Sequence, residues 1–233
     1  MFYLIPAISL YTIVLGTLSI GSSVFEKRGY FAHWCARMWS RLILRTTGVD
    51  VEVQGLERLT HGRTYVFVAN HQSIYDIPIL FWSLPFQLRI IAKESLGRFP
   101  FLGWHLRRTG HLLVNRARPD RTAIFSWASA LVSRALSLIV FPEGTRSRDG
   151  RVGRFKGGSF YLALEAGLPV VPLSVIGSRH VMRKGRLATY PGHVRLVVHE
   201  PIDTSALAGT DRKTFGERVR QIIAPAAESD VQP

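Results

Sequence analysis

The sequence has 233 residues, 47% hydrophobic and 20% charged, with 30 Lys and Arg against 16 Asp and Glu for a net charge of +14. That composition excludes a disordered chain, a collagen-like repeat and a disulfide scaffold, and the length fits one domain with a real core behind a short leader. No charged residue precedes Glu26, so the whole basic excess belongs to residues 26–233.

The run from Met1 to Phe25 lacks the basic start and the small-residue cleavage site of a signal peptide. As a helix rising about 1.5 Å per residue it reaches roughly 37 Å, enough for a hydrocarbon core of about 30 Å. Pro6, Gly16 and Gly21 fit equally well a helix that dips into the bilayer and returns. Glu26, Lys27 and Arg28 close the run, and the positive-inside rule then places the body on the cytoplasmic side of a membrane. Cys35 has no second cysteine to pair with, consistent with a reducing compartment.

From Tyr30 to Thr46 the spacing predicts an amphipathic helix. Arg37, Arg41 and Arg45 form one stripe, and Phe31, Cys35, Met38 and Leu42 form another. With Trp34 and Trp39 alongside, this pattern reads as a helix at an anionic lipid surface; a domain helix packed on the core is the other reading. Residues 1–48 are accordingly expected to anchor the chain to a membrane.

Beyond Val49, strand patterns at 51–54, 64–69, 88–92, 111–115, 137–141, 170–176 and 194–199 alternate with helical patterns at 77–84, 118–135, 158–166 and 212–223. The alternation predicts an α/β fold: a single domain over residues 49–223, with a central, largely parallel or mixed sheet flanked by helices and preceded by N-terminal membrane-associated helices. Residues 224–233 read as a frayed tail.

The sequence contains no GxxxxGK loop, GxGxxG fingerprint, GxSxG elbow or HExxH pair. Two polar elements instead follow apolar strands. Asn70-His71-Gln72-Ser73-Ile74-Tyr75-Asp76 comes after Tyr65–Ala69. Five positions on a continuous helix would separate His71 and Asp76 by about 140°, so they meet only if the chain turns between them. Asp76-Ile77-Pro78 allows this as a helix start. A carboxylate on one imidazole nitrogen leaves the other to take a proton from an alcohol; a loop histidine and a helix cap are the plainer reading. The second element, Phe141-Pro142-Glu143-Gly144-Thr145-Arg146-Ser147, leads into Arg148, Arg151, Arg154 and Lys156, either an anion-binding loop or a solvated basic one.

Over roughly Val49 to Pro201 the chain resembles the 1-acyl-sn-glycerol-3-phosphate acyltransferases, the PlsC-like glycerolipid acyltransferases. The resemblance rests on four blocks: NHQSIYD at 70–76, Lys93-Glu94-Ser95-Leu96 through Asn115-Arg116, FPEGTRS at 141–147, and Val171-Pro172-Leu173. It implies that His71 is a general base oriented by Asp76. It implies further that Glu143, Gly144, Thr145 and Arg146 line the site of a phosphorylated acceptor, with Lys93 and Arg116 assisting. A second glycine at Gly158 and Leu173 in place of a branched residue are departures outside this chemistry.

The implied reaction carries a fatty acyl group from acyl-CoA or acyl carrier protein to the 2-hydroxyl of lysophosphatidic acid, forming phosphatidic acid, at a membrane and without a metal or other cofactor. Because a thioester is already activated, direct attack by the acceptor needs no acyl-enzyme. A lyso-ornithine lipid or another lysophospholipid is the alternative acceptor. A non-catalytic basic membrane protein is the remote alternative; nucleic acid is not an expected partner, since no recognised binding module accompanies the charge. Main-chain N–H groups near the catalytic loop are the expected oxyanion donors.

Overall fold

The computed structural model describes residues 4–26, 29–100, 102–114, 121–207 and 209–230. Two helices come first, α1 (Leu4–Ser22) and α2 (Tyr30–Thr46). Glu26 sets the start of α2: its two carboxylate oxygens accept the N–H groups of Tyr30 and Phe31 at 2.7 and 2.8 Å, satisfying donors that the first turn leaves without partners.

Strand β1 (Val49–Gln54) follows, then β2 (Val66–Ala69), α3 (Asp76–Ser83) and β3 (Leu88–Lys93). The chain continues through α4 (Leu102–Arg108), β4 (Leu112–Val114), α5 (Arg121–Val132) and β5 (Ser137–Val140). It ends with α6 (Tyr161–Glu165), β6 (Val170–Ile176), α7 (Ser178–Val181), β7 (Gly192–Val198) and α8 (Arg212–Ala227). Each strand pattern in the sequence corresponds to an observed strand; α4 and α7 were not foreseen.

The seven strands form one sheet in the order β1-β7-β6-β2-β5-β3-β4, parallel except where β6 meets β7. Strands β2, β5 and β6 are buried along their whole length, which is why they read as unbroken apolar runs, as strands covered on both faces do. Successive β2 side chains point to opposite faces. Phe67 and Ala69 join a core with α2 and α3, and Val66 and Val68 join a second core with α6 and α8. The chain passes from β6 to β7 through α7 and the loop at 182–191, and that pair is antiparallel. Pro172 fits a central strand because it lies between the Val170–Ile202 bridge and the start of the β6–β7 ladder at Leu173–Val198.

Helix α2 packs on the domain as well as following α1, as the second reading of its pattern has it, because Ile43 and Leu44 belong to the same core as the β2 side chains. Its two stripes also divide. Arg37 donates to the carbonyls of Trp82 and Leu84, and Arg41 lies over the Trp82 ring, while Cys35 is buried and Phe31 stacks on Trp34 at the surface. The tail expected to fray at 224 is helical through Ala227, despite Pro225 within the helix. Ala227 is buried, its carbonyl accepts from the Gln72 amide, and the neighbouring Glu228 carboxylate accepts the Val152 N–H at 2.7 Å; these contacts hold the last turn.

Helix α1 is long and apolar enough to cross a membrane, with 6% of its most apolar window buried. It lies along the domain through polar contacts: Tyr11 to Thr46, Thr12 to Trp39, and Ser19 to His105. Its opposite face exposes Ile5, Leu10, Ile13, Val14 and Leu18.

Candidate active site

The site sits at the carboxyl ends of the parallel strands, the end of such a sheet where loops diverge and ligands bind. The β2 strand ends in Asn70, whose side-chain amide exchanges two hydrogen bonds with the backbone of Val175, at 2.9 and 2.8 Å. It takes the place of a peptide group in the ladder and holds the chain against β6 while it turns away.

The turn brings His71 and Asp76 together. His71 Nδ1 lies 2.7 Å from Asp76 Oδ2, and the same oxygen accepts the main-chain N–H groups of Gln72 and Ser73 at 2.8 and 3.0 Å. Asp76 is fully buried at the first position of α3, whereas the His71 side chain is 18% exposed. With the Nδ1 proton directed at the carboxylate, Nε2 is the imidazole nitrogen left to accept a proton. The Phe141 ring stacks on the imidazole with centroids 4.2 Å apart, and so limits rotation of the base.

Glu143 does not point outward with the basic loop. Its carboxylate is buried, with Oε1 accepting the His71 N–H at 2.7 Å and Oε2 accepting the Gly153 N–H at 3.0 Å. Burial raises its pKa, and the N–H groups of His71 and Gly153 oppose that shift. The loop returns to the base a second time, since Ser147 N donates to the His71 carbonyl at 2.7 Å. Gly144 makes the turn between these two ties with φ +72°, a left-handed conformation that favours glycine.

Thr145 is exposed and Arg146 half-buried. Lys184 fixes both, with Nζ donating to Thr145 Oγ1 at 3.0 Å and to the Arg146 carbonyl at 2.7 Å. Among the described residues the Arg146 guanidinium makes no ion pair or hydrogen bond, which leaves its planar fork for an outside anion.

Lys93 is the last residue of β3. The registers of β3 with β5 and of β5 with β2 set its backbone level with Asn70, two strands away or roughly 10 Å. Arg116 lies outside the described residues. The main-chain N–H groups expected to serve as oxyanion donors are occupied at His71, Gln72 and Ser73. Those of Thr145 and Arg146 have no acceptor among the described residues. No cluster of three or more His, Cys, Asp or Glu arranged as metal ligands occurs among the described residues.

Sequence reasoning did not find Lys184 or the clamps made by Asn70 and Glu143. Asn70 and Glu143 lie inside the quoted blocks, but their roles depend on backbone groups 105 and 72 positions away. Nothing in the sequence marks Lys184.

The protein-family profile described as Acyltransferase matches residues 50–176. The chain is 35% identical over 178 residues to the chloroplastic 1-acyl-sn-glycerol-3-phosphate acyltransferase BAT2 of Brassica napus, covering 75% of this chain and 51% of that protein. It is 31% identical over 210 residues to the 1-acyl-sn-glycerol-3-phosphate acyltransferase of Saccharomyces cerevisiae, covering 88% and 69%. The chain thus spans about half the length of the plant relative. The crystal structure of the 1-acyl-sn-glycerophosphate (LPA) acyltransferase PlsC from Thermotoga maritima superposes with a TM-score of 0.76 at 30% identity, over 95% of this chain and 93% of that one.

Proposed function

The chain belongs to the acyltransferase family, and from that premise we propose that it moves a fatty acyl group from a thioester donor to the 2-hydroxyl of 1-acyl-sn-glycerol-3-phosphate, forming phosphatidic acid. The observation that carries the reading is the His71 Nδ1 to Asp76 Oδ2 contact at 2.7 Å, which leaves Nε2 for the acceptor hydroxyl.

His71 Nε2 takes the hydroxyl proton as the oxygen attacks the thioester carbonyl. The new C–O bond forms, the carbonyl electrons move to oxygen, and the tetrahedral species collapses with loss of the C–S bond. The leaving thiolate takes the proton back from His71. The developing oxyanion meets the uncommitted N–H groups of Thr145 and Arg146. The Arg146 guanidinium holds the acceptor phosphate, and placing the hydroxyl by the base lowers the entropic part of the barrier. Glu143 serves this reaction by its grip on the His71 backbone, without contacting the acceptor.

The donor is acyl-CoA or acyl carrier protein, and the exposed apolar face of α1 holds the domain against a membrane with the site on the cytoplasmic side. Because α1 lies flush along α2 and α4, it enters the lipid together with the exposed Phe31 and Trp34 of α2.

The test is phosphatidic acid formation by purified protein in detergent with each donor class, beside His71→Ala. Turnover by the unmodified protein and its loss in the variant are expected. No product with either donor, where a PlsC-like relative works, would overturn the assignment. Competition among lyso-lipids tests the acceptor, and preference for one without phosphate would overturn the role of Arg146.

A further inference from the structure

Between α7 and β7 the chain projects a loop, residues 182–191, which holds the Arg146 segment through Lys184 and also exposes two large apolar side chains. Leu187 is 91% exposed and Tyr190 58% exposed, with Arg183 and Arg186 exposed beside them. The neck is closed by Tyr190 N donating to the Val181 carbonyl at 2.9 Å, and the tip by Arg186 N donating to the Arg183 carbonyl at 3.1 Å. Gly185, at φ +82°, turns the tip, and a side chain there would meet nothing within 4 Å. The loop is therefore a held projection.

A single exposed leucine is ordinary on a soluble protein. The position of this one is not neutral. One end of the loop is tied to the catalytic turn, where the Ser73 hydroxyl donates to the Met182 carbonyl at 2.8 Å; the next residue, Ile74, is itself an exposed apolar side chain. The other end meets the end of α2, where Gly192 N donates to the Gly48 carbonyl at 3.2 Å. That same end of α2 carries Thr46, which meets Tyr11 of α1 at 3.2 Å. The ends of the loop thus meet the catalytic turn and the end of α2 on which α1 rests, while Lys184, beside the tip, holds the Thr145–Arg146 segment. The composition of the tip, an aliphatic and a tyrosine flanked by cations, is that of a segment at the boundary between lipid headgroups and acyl chains.

We propose that the 182–191 loop is a second membrane contact, separate from α1. Leu187 and Tyr190 enter the interface and Arg183 and Arg186 meet anionic headgroups. The hydrogen bond from Ser73 to Met182 then ties the catalytic turn to the surface from which a lyso-lipid is drawn. The inference rests on the membrane reading of α1 given above, and its test separates the two.

Cys35 is the only cysteine and is buried, so Leu187→Cys in the full chain offers one reactive thiol for an environment-sensitive fluorophore. In mixed phosphatidylcholine and phosphatidylglycerol vesicles, its emission should shift to the blue and be quenched by spin-labelled lipid. A fluorophore at Ile13→Cys, on the exposed face of α1, is the reference. Quenching at 13 with a water-like probe at 187 overturns the loop proposal and leaves the α1 reading standing; a water-like probe at both positions overturns both. In kinetics, Leu187→Asp combined with Tyr190→Ser should lower turnover of a bilayer-presented acceptor about tenfold and leave turnover of a monomeric short-chain acceptor unchanged. An equal loss on both acceptors would instead assign the loop a structural role and overturn the proposal.

Discussion

The Glu143 carboxylate accepts the main-chain N–H of His71 at 2.7 Å. The basic loop therefore grips the proposed base by its backbone, and the same carboxylate ties in Gly153 at 3.0 Å. A glutamate that contacted the acceptor would act mainly on substrate binding. One that positions His71 acts on the chemical step.

Glu143→Gln separates these roles. The amide keeps the size but turns an NH2 group toward one of the two N–H donors, losing a charged hydrogen bond of about 1.5–3 kcal/mol. The expected result is a fall in kcat of about 10- to 100-fold with little change in KM for the acceptor. A rise in KM at constant kcat would return Glu143 to the acceptor site. Thermal unfolding of the same variant measures how much of the loss is stability.

Asp76→Asn tests the orientation of the base. Asp76 Oδ2 accepts from His71 Nδ1 and from the N–H groups of Gln72 and Ser73. An asparagine oxygen placed there keeps the backbone contacts but offers a weaker neutral acceptor to the imidazole; the flipped amide presents donors to donors. A loss in kcat of about 10²- to 10⁴-fold is expected, with the fold intact by circular dichroism. Activity within a few-fold of the parent would mean that His71 needs no carboxylate partner.

These two residues also mark what could be read without coordinates. Strand patterns were legible because β2, β5 and β6 are buried on both faces and leave unbroken apolar runs. The sequence permitted a turn that would let His71 meet Asp76, with Asp76-Ile77-Pro78 as a helix start, but it was the family resemblance that implied the pairing. The order of the strands was not legible, since nothing local tells β7 to insert between β1 and β6. Helix α4, with seven residues, is too short for periodicity to announce. The direction of the Glu143 carboxylate was illegible for a similar reason: its partner is a backbone group 72 residues earlier, and backbone groups carry no sequence signature.

Acid should weaken the fold through three buried histidines beside α1. His105 and His111 pack with ring centroids 5.6 Å apart, and His33 and His111 both adjoin Phe81. Burial and then Arg89 lower His33 to about 3 and His105 to about 4; burial, then His105, Arg89 and His33 in turn, push His111 well below its ordinary value. All three folded-state values lie below the unfolded value of about 6.5, so on acidification the unfolded chain takes up protons first. Stability is fully present above that value and falls as pH drops toward the folded values, by about 1.4 kcal/mol per pH unit for each histidine. Urea unfolding in detergent between pH 7 and pH 5 should show this slope. His105→Asn should make it shallower by the share of one histidine, and an unchanged slope would mean that His105 is not protonated on unfolding.

Arg146 and Lys184 should differ in kind. Arg146→Met removes the proposed phosphate partner, so KM for the acceptor should rise about 10- to 100-fold, with Arg146→Lys recovering part of the loss because an ammonium keeps the charge but not the fork. Lys184 acts through the loop: its ammonium holds Thr145 Oγ1 at 3.0 Å and the Arg146 carbonyl at 2.7 Å. Losing it frees the backbone that carries both the guanidinium and the two uncommitted N–H groups. Lys184→Met should therefore lower kcat as well as raise KM, because oxyanion stabilisation and phosphate binding loosen together. In KM for the acceptor the two substitutions combined should cost less than the product of their separate effects, since Lys184 has no guanidinium left to position, whereas its effect on kcat through the two N–H groups should persist. Fully multiplicative losses in KM would show that Lys184 acts independently of Arg146, as a separate contact to one of the substrates.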